Sequence, residues 1–143
     1  MEDAVNHSVL HDAYMSTDYV VMSEPAFTLK VGIESSALSQ LHKSYGVDSS
    51  VFITAWNPGS VPRSKIENEK RQVELMEILR FRSLDYFHAE GIHPSGQWPA
   101  EPSVLVLGLS LEAGKKLGRQ FSQNAILWAG PDAKPTLVMI NAL

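Results

Sequence analysis

The chain contains no cysteine. Disulfides, thiolate metal sites and cysteine nucleophiles are therefore excluded, and a reducing compartment such as the cytoplasm suits the composition. No apolar run approaches the ~20 residues that a membrane helix needs. The opening MEDAVNHSVL is too acidic and polar for a secretory signal. A surplus of basic charge is missing as well. The formal net charge is −4, and residues 1–50 carry seven acids against two bases. That balance disfavours nucleic acid as a partner. Arg63, Lys65, Lys70 and Arg71 interleave with Glu67, Glu69, Glu74 and Glu77, the pattern of a solvated helix face rather than a phosphate-binding one. What remains is 143 residues with an ordinary apolar share, enough for one domain, 1–143, with a real core.

Periodicity and turn residues divide that domain. HSVLHDAYMSTD reads as a short helix, YVVMS and AFTLKVGI as strands separated by Glu24-Pro25. SSALSQLHKSYG places Leu38, Leu41, His42 and Tyr45 on one helical face, with Gly46 as a stop. VFITAW is a strand. SKIENEKRQVELMEILRFR is the strongest helix, with Ser64 as N-cap and Glu67 completing a capping box. LDYFHAE and SVLVLGL follow as strands around the Gly/Pro-rich GIHPSGQWPAEP. SVLVLGL is apolar on both alternations and so reads as a central strand covered on both faces. SLEAGKKLGRQF is a helix capped by Ser110, and its Ala113, Gly114 and Gly118 permit close packing. NAILWA and TLVMI are strands joined by the turn GPDAKP. The expected class is α+β: a mixed, mostly antiparallel sheet with two or three helices on one face. From Phe52 onward the order contains a ferredoxin-like β-α-β-β-α-β unit.

Polarity stands out in three places. On the main helix, at 100° per residue, Leu75 and Leu79 lie within about 20° of Asn68, so Asn68 sits mid-stripe on the face to be buried, flanked by Gln72 and Arg71. A buried polar group needs a partner. Either these residues satisfy the backbone of Asn57-Pro58-Gly59-Ser60, or they line a wet cavity beside a helix N-terminus suited to an anion. In QWPAEPSV, Glu101 precedes the central strand, which Ser103 opens. Its carboxylate is solvated, paired with Arg71, or poised as a base, and a Glu–Arg pair is the commoner outcome. In FSQNA, Gln123 and Asn124 link a helix end to a strand. Asn124 suits the left-handed residue that ends the helix.

Several motifs fail. His88-Ala89-Glu90 imitates a zinc deaminase without its Pro-Cys-x-x-Cys half. His88, Glu90 and His93 make a weak metal trio, and His7 and His11 share a helical spacing without a zincin pattern. Ser110 lacks the Gly-x-Ser-x-Gly of a nucleophile elbow and serves as a cap. Phe52, Trp56, Tyr86 and Phe87 fit core packing better than base stacking.

FITAWNPGS, Glu67-Asn68, WPAEPSVLVLG and FSQNAILW, with AYMSTDY near the start, resemble the bacterial domain-of-unknown-function family 3293 in order and spacing over most of the chain. AYMSTDY is similar to that family's opening Tyr-x-x-Thr-x-Tyr. The resemblance implies a small stand-alone bacterial protein and carries no activity. It directs attention to Thr54, Asn57, Pro58, Asn68, Glu101, Ser103 and Gln123.

Two functions follow as expectations. In the first, the strand-turn-helix 52–72 binds a polar or anionic small molecule. Thr54, Asn57 and Ser103 contribute hydrogen bonds, Asn68 and Gln123 orient the ligand, Arg71 neutralises it, and Glu101 acts as base or anchor. No cofactor and no metal is implied. In the second, the polar set is an internal network in a non-catalytic interaction module, with an edge strand near TLVMI or YVVMS as the surface for a partner or homodimer.

Overall fold

A computed structural model describes residues 7–140, and the side chains of His7 and Ser8 lie outside that description, as does the segment 1–6. The paired-histidine reading of His7 with His11 therefore falls outside the described residues. Four α-helices are present among them: α1, His7–Ser16; α2, Ser36–Ser44; α3, Lys65–Phe81; and α4, Leu111–Gln120. Seven strands accompany them: β1, Asp18–Val21; β2, Phe27–Leu29; β3, Ser50–Ile53; β4, Tyr86–Ile92; β5, Glu101–Leu107; β6, Ala125–Ala129; and β7, Thr136–Met139. The fold is α+β. No helix among the described residues is long and apolar enough to cross a membrane.

The helices begin where side-chain caps replace missing backbone partners. The Ser64 hydroxyl accepts from Glu67 N, and that of Ser110 accepts from Ala113 N, each at 3.1 Å. Ser35 does the same for α2. After α4 the left-handed residue is Ser122, at φ 54°, and not Asn124.

All seven strands form one sheet in the order β2-β1-β4-β5-β3-β6-β7. Every pairing is antiparallel, so the expected mixed character is absent. β1 lies between β2 and β4, which removes YVVMS as an edge, whereas β7 is an edge as its sequence TLVMI suggested.

β5 is the middle strand, and its alternation explains its uninterrupted apolar sequence. Val104 and Val106 join Val51, Ile53 and Ile126 beneath Leu75 and Leu79 of α3 and Leu117 of α4. Leu105 and Leu107 face the other way, with Tyr19, Phe52, Leu127 and Leu38 of α2. Two helices thus cover one face and α2 the opposite face. The small residues of α4 set its closeness to the sheet. A Cβ on Gly114 would come within 2.8 Å of Val51 Cγ2, and one on Gly118 would run into Ile140.

Candidate functional site

The turn after β3 is held by side chains that answer its backbone. Asn57 (φ 46°), Gly59 (φ 66°) and Ser60 (φ 63°) all adopt left-handed conformations, which cost non-glycine residues about 1 kcal/mol or more. Such a turn leaves N–H groups without ladder partners. Asn68, 1% exposed, accepts from Asn57 N at 2.8 Å and donates to Asn57 Oδ1 at 2.7 Å. Asn57 Oδ1 also accepts from Arg63 N at 3.0 Å. One turn along α3, Gln72 Oε1 accepts from Ala55 N at 3.0 Å. Thr54 Oγ1 donates to Pro102 O at 2.6 Å and accepts from Trp56 N at 3.0 Å, tying the turn to β5. From the far side, Gln123 Nε2 donates to Trp56 O at 3.3 Å and Phe121 O at 3.2 Å, while Gly59 N donates to Ser122 O at 2.7 Å.

Asn57, Asn68 and Gln123 lie together with Thr54 around the turn, bonded to main-chain groups of the chain itself and, for Asn57 and Asn68, to each other. Ser103 is buried and donates to Glu101 O within its own strand. Arg71 does not join them. It lines an open groove of about 560 Å³ between α3 and the end of α4, with Glu74, Ile78 and Phe121. No ion pair links it to Glu101 or to any other described residue, so the expected Arg71–Glu101 pair is absent.

Glu101 faces a different neighbourhood. It begins β5, two residues earlier than the sequence placed the strand's start, and its side chain shares the face of Leu105 and Leu107. The register aligns Tyr19 of β1 with Gly91 of β4 and Gly91 with Glu101. Gly91 contributes no side chain to that row, and Thr17 packs over it, its Cγ2 3.7 Å from where a Cβ would stand. The Tyr19 ring reaches Phe52 on β3, edge to face at 5.0 Å between centroids. It crosses β4 and β5, where Ala89, Gly91 and Ser103 on the same face are small. Its hydroxyl donates to Tyr14 O at 2.7 Å and so fastens α1 over the sheet.

Around this row lies a hydroxyl-amide cluster. The Tyr14 hydroxyl is 3.3 Å from Ser60 Oγ, and Asn124 Nδ2 donates to the same oxygen at 2.9 Å. Asn124 also bonds the Tyr14 side chain. Burial raises the Tyr14 and Tyr19 phenols above their ordinary value, and the negative charge of Glu101 adds to both shifts. The carboxyl of Glu101 is largely buried and makes no side-chain hydrogen bond or ion pair with a described residue. Desolvation pushes it up to about 7. The basic side chain at the α1–β1 junction, Lys30, is taken by Asp18 Oδ1 at 2.8 Å and by helix-end carbonyls.

Sequence reasoning singled out Glu101 but not the residues around it. Tyr14, Thr17 and Tyr19 were visible only as the Tyr-x-x-Thr-x-Tyr pattern. Ser60 and Asn124 were read as turn and cap. The sequence also gave no sign of the buried pair His42 Nε2 and Ser50 Oγ, 2.8 Å apart, whose imidazole is held below its ordinary value by burial against a smaller opposing pull from Asp48. His88, Glu90 and His93 are not brought together as a metal set: His93 bonds Ser95 at 2.8 Å and packs on Trp98. No group of three or more potential metal-binding side chains occurs among the described residues.

Residues 53–126 match the model of a family described as a protein of unknown function, DUF3293. Comparison with curated proteins and with solved structures yields no match. The matched segment holds the turn, α3, Glu101 and Asn124, whereas Tyr14 and Tyr19 lie ahead of it.

Proposed function

The chain belongs to the DUF3293 family, and on that premise we propose that it binds a small polar molecule carrying an amine or another cationic hydrogen-bond donor. The observation that carries this reading is Glu101: a largely buried carboxyl with no side-chain partner among the described residues, opposite the side-chain-free Gly91 and beside Tyr14 and Tyr19. A buried acid without a partner is costly to maintain. A ligand ammonium supplies the missing donor and charge, and phenol rings suit a cation. The features that suggested an anion lie elsewhere. Arg71 is in the α3–α4 groove, and the first turn of α3 is capped by Ser64.

The polar set at 57–72 then acts as scaffold, which is the structural half of the alternative interaction-module reading. Buried pairing of Asn68, Gln72 and Gln123 with backbone favours that role. The scaffold fixes Ser60, which with Asn124 and Tyr14 forms the polar wall. A carboxyl titrating near neutrality also suits a general base, so proton abstraction from a bound ammonium or hydroxyl is the chemistry Glu101 would serve. We read the framework, β3-α3-β4-β5-α4-β6, as a ferredoxin-like unit, supported by its sheet order β4-β5-β3-β6.

A thermal-shift screen separates the readings. Primary amines, quaternary ammonium compounds, carboxylates and phosphates are compared on the parent and on Glu101→Gln. The proposal expects an amine to raise the midpoint of the parent only. A shift that survives Glu101→Gln, or one produced by phosphates alone, overturns it.

A further inference from the structure

On the side of α3 opposite the buried Asn68, Gln72, Leu75 and Leu79, three large apolar side chains stand in solvent: Ile66 at 70% exposure, Val73 at 45% and Phe81 at 90%. At 100° per residue, Val73, Glu77, Lys70 and Phe81 all fall within about 60° of Ile66, so these residues form one stripe along the helix. Exposed apolar side chains occurring singly need no explanation, but an aligned set marks an interaction surface. Its charges are just as ordered. Arg63 pairs with Glu67 and Lys65 with Glu69, while Lys70 and Glu77, inside the stripe, have no ion-pair partner among the described residues.

We propose that the stripe is the contact between two copies of this chain, with their α3 helices antiparallel about a two-fold axis between Val73 and Glu74. That axis sets Ile66 opposite Phe81 and Lys70 opposite Glu77, each pair occurring twice by symmetry. It also sets Glu67 opposite Arg80. Lys70, Glu77 and Arg80 then each meet an opposite charge, Glu69 keeps its partner Lys65 on its own helix, and Ile66 meets Phe81. A parallel arrangement would set Lys70 against Lys70 and Glu77 against Glu77, so the charge order selects the antiparallel one. The seventeen residues of α3 span about 25 Å. One helix pair of that length gives an interface at the small end of the range, hence a dimer that dissociates on dilution. α3 covers the face of Val104 and Val106, whereas Glu101 points to the other, so the contact leaves both Glu101 sites open.

Sedimentation velocity on the full chain, from micromolar to millimolar, tests the contact. The parent is expected to rise from 15.8 kDa towards twice that mass with concentration. Lys70→Glu alone and Glu77→Lys alone each create two like-charge pairs and are expected to stay monomeric at concentrations where the parent pairs. An equimolar mixture of the two variants restores both opposite pairs and is expected to dimerise like the parent. Both positions are solvent-facing, so circular dichroism should show unaltered folds. A parent that is monomeric throughout, single variants that dimerise like the parent, or a mixture that stays monomeric each overturns the proposal.

Discussion

Replacing Glu101 with glutamine removes a charge while keeping the shape of the side chain, and the structure states what that should do. The Glu101 carboxyl is displaced from 4.5 to about 7 by desolvation alone. A carboxyl raised on folding favours the protonated form. Its stabilising contribution is therefore complete below pH 4.5 and is lost as the pH rises through about 7. At about 1.4 kcal/mol per pH unit, the ionised carboxylate costs the native state at most about 3 kcal/mol at pH 8. Glutamine carries no such cost. Glu101→Gln is expected to be more stable than the parent by up to about 3 kcal/mol at pH 8, roughly 10 °C in thermal midpoint for a domain of this size. The two should converge below pH 4.5. Urea unfolding of both proteins between pH 4.5 and 8.5 gives the difference directly. A difference that does not change with pH, or a variant less stable than the parent at pH 8, would mean that Glu101 is hydrated or paired, and the reasoning about its site would fail. The same substitution should also abolish amine binding, a gain in stability coupled to a loss of function.

Asn68→Ala leaves Asn57 N without its partner while Asn57 Oδ1 keeps the Arg63 N donor, and a loss of about 1–3 kcal/mol is expected in urea unfolding, with little dependence on pH. Gly118→Ala forces a methyl against Ile140 and should cost about 1–3 kcal/mol, while Ser110→Ala, at the other end of α4, should cost only about 1 kcal/mol through its cap. His42 is held neutral by burial, so its contribution to stability is present above pH 6.5 and lost as the pH falls below it. The double variant His42→Leu, Ser50→Ala, which removes both polar partners, should flatten that acid-side decline in a midpoint-versus-pH series.

The elements were legible because each rests on local chemistry. Ser64 and Ser110 announce helix starts through side chains that reach only three residues ahead. SVLVLGL announces a central strand because both faces must be apolar, and β5 is the central strand of the sheet. Gly114 and Gly118 announce close packing, though not that Val51 and Ile140 are the neighbours. Asn68 shows where the sequence stops being sufficient: its phase on α3 gives burial, but whether its amide meets ligand or backbone depends on a turn eleven residues earlier. Arg71 flanks the same stripe and still turns towards α4, because the choice between sheet end and neighbouring helix is made by packing. The Glu101 site is assembled by register. Nothing near Glu101 in the sequence indicates that Gly91 stands opposite it, or that α1 brings Tyr14 to the same place. Side of the sheet is equally non-local, which is why α2 lies opposite α3 and α4 although its apolar face was plain.

The most direct test of the central claim is a carboxyl-carbon NMR titration of the glutamate-labelled chain, with the Glu101 signal identified by its loss in Glu101→Gln. A Glu101 midpoint near 7, moving downward when a primary amine occupies the site, is the predicted result. A Glu101 midpoint near 4.5, unmoved by amines, would contradict the account.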